Sequence, residues 1–186
     1  MKRVLAVVVL LLTFTGCRSA DSHINAALAL RESLLKGNGC SFDAVITADY
    51  GDKLYTFEMQ CSGDKEGNVS FEVTAPQSIS GICGAVNAQG GRLTFDDRAL
   101  MFELLADGQV TPVSAPWLLI NTLRSGYISA AGADETGIRV QIDDSYESDA
   151  LHLDIWLNDK GAPMRGEILW QGRRIVSLDV ENFTIL

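Results

Sequence analysis

The segment "CSFDAVITADYGDKLYTFEMQC", Cys40–Cys61, reads as two alternating stretches around a turn. Before the turn, Cys40, Phe42, Ala44, Ile46 and Ala48 share one face; after it, Tyr55, Phe57, Met59 and Cys61 do the same. A period of two is the signature of half-buried strands, and "DYGD" between them supplies a hairpin turn. A loop at Tyr50-Gly51 sets Cys40 opposite Cys61, whereas a loop at Gly51-Asp52 moves the register by two residues. Both registers keep the apolar faces together, so patterning alone does not choose. The first register carries the expectation of a Cys40–Cys61 disulfide with Cys83 left free, because directly opposed residues lie about 4.5–5.5 Å apart at Cα.

Working outward, the pattern upstream is helical. Asp21 or Ser22 can cap a helix to about Lys36, with Ile24, Ala27, Leu28, Leu34 and Leu35 as its apolar stripe and Gly37 and Gly39 ending it. Downstream, strands are expected over Asn68–Ala75, Ile82–Asn87, Arg92–Asp96, Ala99–Leu105, Tyr127–Ala131, Gly137–Asp143, Ala150–Leu157, Met164–Trp170 and Arg174–Thr184. A second helix interrupts them in "SAPWLLINTLRSG", Ser114–Gly126, with Ser114 as cap and Pro116 in its first turn. There is no alternation of strand and helix and no fixed repeat, so the expected class is α+β: one domain on a large antiparallel sheet of about 10–11 strands. A sheet that wide must curl or split, and the two helices are its natural cover on the concave face.

The first residues belong to export rather than fold. Lys2 and Arg3 precede the nine apolar residues Val4–Leu12, too few for the ~20 that span a bilayer. Phe14-Thr15-Gly16-Cys17 has the form of a bacterial lipobox, which makes Met1–Gly16 a signal peptide, Cys17 the acylated (diacylglyceryl, palmitate-bearing) N-terminus, Cys17–Ser22 a tether and residues 23–186 the domain. The protein is then exported and held at a membrane through its lipid, facing away from the cytoplasm.

Removal of Lys2 and Arg3 takes the formal charge from −9 to −11. Such a chain is repelled by phosphate backbones and anionic headgroups, which excludes nucleic acid as a partner and leaves membrane attachment to the acyl chains.

The lipobox, the leading helix, the run of hairpins and the phrases "FEVTAPQSISGI", "RLTFDDRALMFELLADG" and "PMRGEILWQGRRIVSLDVENFTI" together resemble the LolA/LolB/LppX lipoprotein superfamily. That resemblance implies an incomplete β-barrel whose hollow is covered by helices and holds lipids or acyl chains. No residue here matches the arginine associated with lid closure in LolA, so no such role is carried over.

Catalytic patterns are thin. "DDSYESD", Asp143–Asp149, lacks the spacing and glycine of an EF-hand and reads as a solvated connection. His152 sits on a polar strand face without a nucleophile motif, and nothing cationic flanks Cys83. No metal, cofactor or enzymatic activity is expected. Trp117 and Leu118 of the inserted helix, with Phe57, Phe71 and Leu153 of the sheet, are the expected lining of an apolar site. The two functions in view are binding of a lipid, acyl chain or other apolar ligand, and a filled-core lipoprotein that docks a partner in cell-envelope or spore assembly.

Overall fold

The structure is a computed structural model that describes residues 18–106, 109–147 and 150–186. The signal-peptide reading and Cys17 lie outside the described residues. Helix α1 spans Arg18–Lys36. The stretch read as a tether is thus helical from Arg18 onward, a full turn earlier than a cap at Asp21 or Ser22 implies. Its buried stripe is Ala27, Leu30 and Leu34, while Leu28 and Leu35, expected on that stripe, are 45% and 51% exposed. The i, i+3, i+7 spacing is still that of one helix face, rotated away from the predicted line.

Six strands follow as a meander: β1 (Gly39–Asp49), β2 (Leu54–Asp64), β3 (Val69–Ala75), β4 (Cys83–Asn87), β5 (Gly90–Phe95) and β6 (Arg98–Phe102). A two-strand ladder, β7 (Leu105–Ala106) with β8 (Gln109–Val110), leads to a 3-10 turn at Pro112–Ser114 and helix α2 (Ala115–Ser125). Then comes a second meander: β9 (Tyr127–Asp134), β10 (Gly137–Asp143), β11 (His152–Leu157), β12 (Pro163–Trp170) and β13 (Arg173–Ile185). The two meanders join through β1 and β13 into one sheet of 11 strands, ordered β6-β5-β4-β3-β2-β1-β13-β12-β11-β10-β9. Every pairing is antiparallel, and β6 and β9 remain as open edges. The α+β reading, a large antiparallel sheet not closed into a barrel and accompanied by two helices, therefore holds, down to the strand count of the main sheet.

The register corrects one expectation. Cys61 stands opposite Phe42 and Cys40 opposite Gly63. Tyr50 N–H donates to the Lys53 carbonyl at 3.0 Å, closing the turn around Gly51-Asp52. Gly51 takes φ +88°, a conformation that favours glycine, and this selects the second of the two loops. Cys40 and Cys61 are then diagonal rather than opposed, about 7–8 Å apart at Cα and beyond easy bridging. Both are free thiols, as is Cys83.

The inner face of the sheet, on which the helices lie, carries the core. Met59, Val140, Ile142, Leu153, Ile155, Leu157, Ile168 and Leu178 are at most 1% exposed. From α2, Leu119, Ile120 and Leu123 meet them at 2% or less. Each such side chain contributes roughly 1.5–3 kcal/mol on burial, which fixes α2 against the sheet. Pro116 sits in the first turn of α2 as expected, but Ser114 makes no side-chain cap. Its hydroxyl instead donates to the Thr111 carbonyl at 2.6 Å, within the preceding 3-10 turn.

Candidate functional site

The inner face divides into two unequal parts. Under the helices it is filled: a void that admits water would leave its lining accessible, and the side chains between α2 and the sheet are not. Toward β6 the cover stops while the apolar chemistry continues. One row of paired residues shows the change, running Phe42–Cys61–Phe71–Gly84–Leu93–Leu100 across six strands. Phe42, Cys61 and Phe71 are buried, Leu93 is half-buried and Leu100 is 63% exposed. By strand alternation Phe95 and Phe102 share that face, Phe95 being 52% exposed and Phe102 half-buried.

Two aromatic rings lie over glycines on this side. A Cβ on Gly84 would sit 2.4 Å from Phe71 Cζ, and one on Gly91 would sit 2.0 Å from Phe102 Cζ. The rings occupy the space that side chains would take, which keeps the β3–β6 end of the inner face shallow and aromatic.

The helices are fastened to each other. Arg31 of α1 donates from Nε to the Leu123 carbonyl at 2.7 Å and from Nη2 to the Gly126 carbonyl at 2.7 Å, satisfying the last turn of α2. Arg124 of α2 donates from Nη1 to the Leu34 carbonyl at 2.9 Å, at the last turn of α1, and from Nη2 to Lys65 O at 2.8 Å. Burial lowers the pKa of the Arg31 guanidinium. Shallow grooves flank α1. One of about 520 Å³ lies against Leu30, Ala162, Phe183 and Ile185; another of about 430 Å³ lies against Leu28, Tyr127 and Tyr146.

The outer face carries a polar network on the β9–β13 half. Asp154 is 3% exposed although it points away from the core. It accepts from Arg139 Nη2 at 2.5 Å and from Gln141 Nε2 at 3.1 Å. Trp156 stands between the Arg139 and Arg165 guanidiniums, each 5.4 Å from its ring centroid, and donates from Nε1 to Asp134 at 3.1 Å. His152, read from sequence as a surface residue, is half-buried with Nδ1 2.7 Å from Asp143. Arg139 Nε is buried without a partner, while the other named groups pair with one another, and the network braces the sheet. Among the described residues no cluster of His, Cys, Asp and Glu is arranged to hold a metal.

The five residues expected to line a ligand site all fall in the core: Trp117 is 6% exposed, Leu118 4%, Phe71 5%, Phe57 8% and Leu153 1%. Phe71 adjoins the uncovered part through Gly84, and the rest lie beneath the cover or close to it. Leu93, Phe95, Leu100 and Phe102 escaped the sequence reading. For Leu100 and Phe102 a signal was present in "RALMF", where Leu100, Met101 and Phe102 are consecutive and one face of a half-covered strand should have been polar.

No family profile matches the chain, and no curated protein is recognisably similar to it in sequence. Solved structures are similar in shape. A LolA-superfamily protein from Nitrosomonas europaea aligns at 8% identity over 86% of this chain and 93% of its own, with TM-score 0.43. A putative outer-membrane lipoprotein-sorting domain from Vibrio parahaemolyticus aligns at 11% identity over 89% and 92%, with TM-score 0.47. The lipoprotein LppX from Mycobacterium tuberculosis aligns at 10% identity over 87% and 93%, with TM-score 0.42. At these identities only the fold is comparable, and what those proteins bind or sort stays with them. Among the described residues no helix is long and apolar enough to cross a membrane.

Proposed function

We propose that this protein is an exported, non-enzymatic lipoprotein that binds an acyl chain or similar apolar ligand on the uncovered end of its inner face. Leu93, Phe95, Leu100 and Phe102 would contact the ligand, with Phe71 forming the floor. The observation that carries this reading is the row in which burial falls from Phe42, 3% exposed, to Leu100, 63% exposed, while every side chain stays apolar. Exposed apolar area of this kind marks a binding surface. Each methylene laid on it gains up to about 0.8 kcal/mol. Phe14-Thr15-Gly16-Cys17 supports anchoring through a diacylglyceryl group on Cys17, which is sufficient without basic residues.

The test is titration of a fluorescent fatty acid into the purified protein, beside a Phe95→Asp/Leu100→Asp variant. Saturable binding that the variant loses is the expected result. Absent binding, or binding the variant keeps, would overturn it.

The filled space under α2 favours a second reading, a docking lipoprotein of the cell envelope in which a protein segment covers the same patch. Mass spectrometry of material extracted from the purified protein separates the two: a copurified lipid supports the first.

A further inference from the structure

The outer edge of β6 is complementary to itself. β5 and β6 are joined by the two-residue turn Asp96-Asp97, both with positive φ (49° and 60°), and pair Phe95 with Arg98, Leu93 with Leu100 and Gly91 with Phe102. In such a hairpin the residues flanking the turn exchange backbone hydrogen bonds, and hydrogen-bonded pairs recur at every second position. Arg98, Leu100 and Phe102 therefore direct their N–H and C=O groups at β5. Ala99 and Met101 direct theirs outward. The next outward carbonyl, that of Glu103, is already taken by Thr111 Oγ1 at 2.7 Å, and Thr111 N–H bonds the Leu104 carbonyl at 2.9 Å. The strand itself ends at Phe102, so its free edge is Ala99–Met101.

Natural edge strands are usually blunted by lysine, proline or a bulge. This one has no lysine, proline or bulge, and apart from Arg98 at its start its exposed side chains are apolar: Leu100 is 63% and Met101 73% exposed. Among the described residues β6 has β5 as its only sheet neighbour.

We infer that β6 pairs with β6 of a second copy of this chain, antiparallel and centred on Leu100. In that register Ala99 of each copy exchanges both backbone bonds with Met101 of the other, so every free group of the edge is used. Leu100 meets Leu100 on the two-fold axis as a close, non-hydrogen-bonded pair. Arg98 meets the Phe102 ring across the junction, a favourable cation–aromatic contact. No slipped register both keeps each face on its own side and uses all the free groups.

The contact is small, below the roughly 1,000 Å² of a stable interface, and it joins two acidic chains whose Asp97 and Glu103 approach at its ends. It belongs to a crowded surface rather than to dilute solution, and added salt should strengthen it. Anchoring at a membrane would supply the crowding. The inference does not rest on the ligand reading, because it concerns the strand edge and its readout is a cross-link between chains.

The test is Leu100→Cys in a Cys83→Ser background, oxidised both in membranes of producing cells and as purified protein at about millimolar concentration. Opposed Cα atoms about 4.5 Å apart are within disulfide range, so a cross-linked dimer is expected. Leu54→Cys, at a site 67% exposed on β2, serves as the control and should stay monomeric. Adding Met101→Pro removes an outward N–H that β5 does not use, and should abolish the dimer while the fold persists by circular dichroism. Ala99→Pro repeats that step should the first proline variant not fold. Cross-linking of Leu100→Cys no stronger than that of Leu54→Cys, or dimer that survives the folded proline variant, would overturn the inference.

Discussion

Arg31 and Arg124 cap each other's helices: Arg31 reaches the carbonyls of Leu123 and Gly126 at the end of α2, and Arg124 reaches the carbonyl of Leu34 at the end of α1. Each guanidinium thus neutralises the negative end of the helix on which the other resides. Arg31→Met keeps the stem but loses the donors, and is expected to cost about 1.5–3 kcal/mol. Arg124→Met should cost less, since one of its two bonds is solvent-exposed. Because both hold the same pair of helices, the double variant should fall short of the sum by about 0.5 kcal/mol or more. Urea unfolding of the four proteins measures this, and strict additivity would show that the two caps act separately.

Gly84 should tolerate alanine worse than Gly91 does. At Gly84 the added Cβ meets the buried Phe71 ring at 2.4 Å and the Arg92 carbonyl at 2.8 Å, and a backbone atom cannot swing aside. At Gly91 the three nearest atoms all belong to the half-buried Phe102 ring, which can turn outward. Gly84→Ala is expected to cost about 1–3 kcal/mol and Gly91→Ala less, as read from thermal unfolding. Phe102→Leu should further relieve Gly91→Ala, and Phe71→Leu should not fully relieve Gly84→Ala.

The three internal thiols should react in two classes. Cys83 is exposed, whereas Cys40 and Cys61 are 1% and 5% exposed, and burial pushes both buried thiols up, Cys61 the further. A thiolate-seeking reagent at mildly alkaline pH should label Cys83 at once in the native protein and the other two only on unfolding. Rapid native labelling of Cys61 would show that the β1–β2 face opens. Peptide mapping of the untreated protein should find no internal Cys40–Cys61 bridge.

Asp144 sets a pH dependence. Burial first, and the neighbouring Asp143 to a lesser degree, raise its pKa, although its Oδ1 accepts the Leu151 N–H at 2.8 Å. A carboxyl with a raised folded-state pKa binds its proton more tightly when folded. Its contribution is therefore present at low pH and lost as pH rises from the unfolded value, about 3.9, through the folded one. Asp144→Asn keeps the acceptor and removes the charge. It should melt higher than the parent at pH 7 and lose that advantage near pH 3. An equal gain at both values would mean that charge is not the cause.

How far the chain could be read before its structure depended on the kind of question. The alternation Cys40-Phe42-Ala44-Ile46-Ala48 against Phe57-Met59-Cys61 gives the inner face correctly, because a period of two is a local property. The register between those strands was not legible, since a shift of two preserves every face and the choice lay in the backbone of Gly51-Asp52. Helix α2 was visible from Pro116 and its apolar run. Its placement over the middle of the sheet, against β2, β13 and β10, was not, because Trp117 and Leu118 are equally apolar whichever strands they cover. The site suffers from the same ambiguity: Leu93 and Leu100 look like core until one sees that no helix lies above them.

The joining of the two meanders at β1 and β13 bears on how the chain acquires its shape. Every other pairing in the main sheet links strands that follow each other in sequence, and most turns between them are short. The contact between Cys40 and Ile185 is of another kind, spanning nearly the whole domain. Loop-closure entropy delays such contacts relative to local hairpins. A chain that emerges N-terminus first can build the β1–β6 meander early, with the outer edge of β1 waiting unpaired. That edge stays vacant until Arg173–Ile185 emerges, so the final thirteen-residue strand times the completion of the sheet. The interval before its arrival is when the chain is most exposed to pairing with the wrong neighbour.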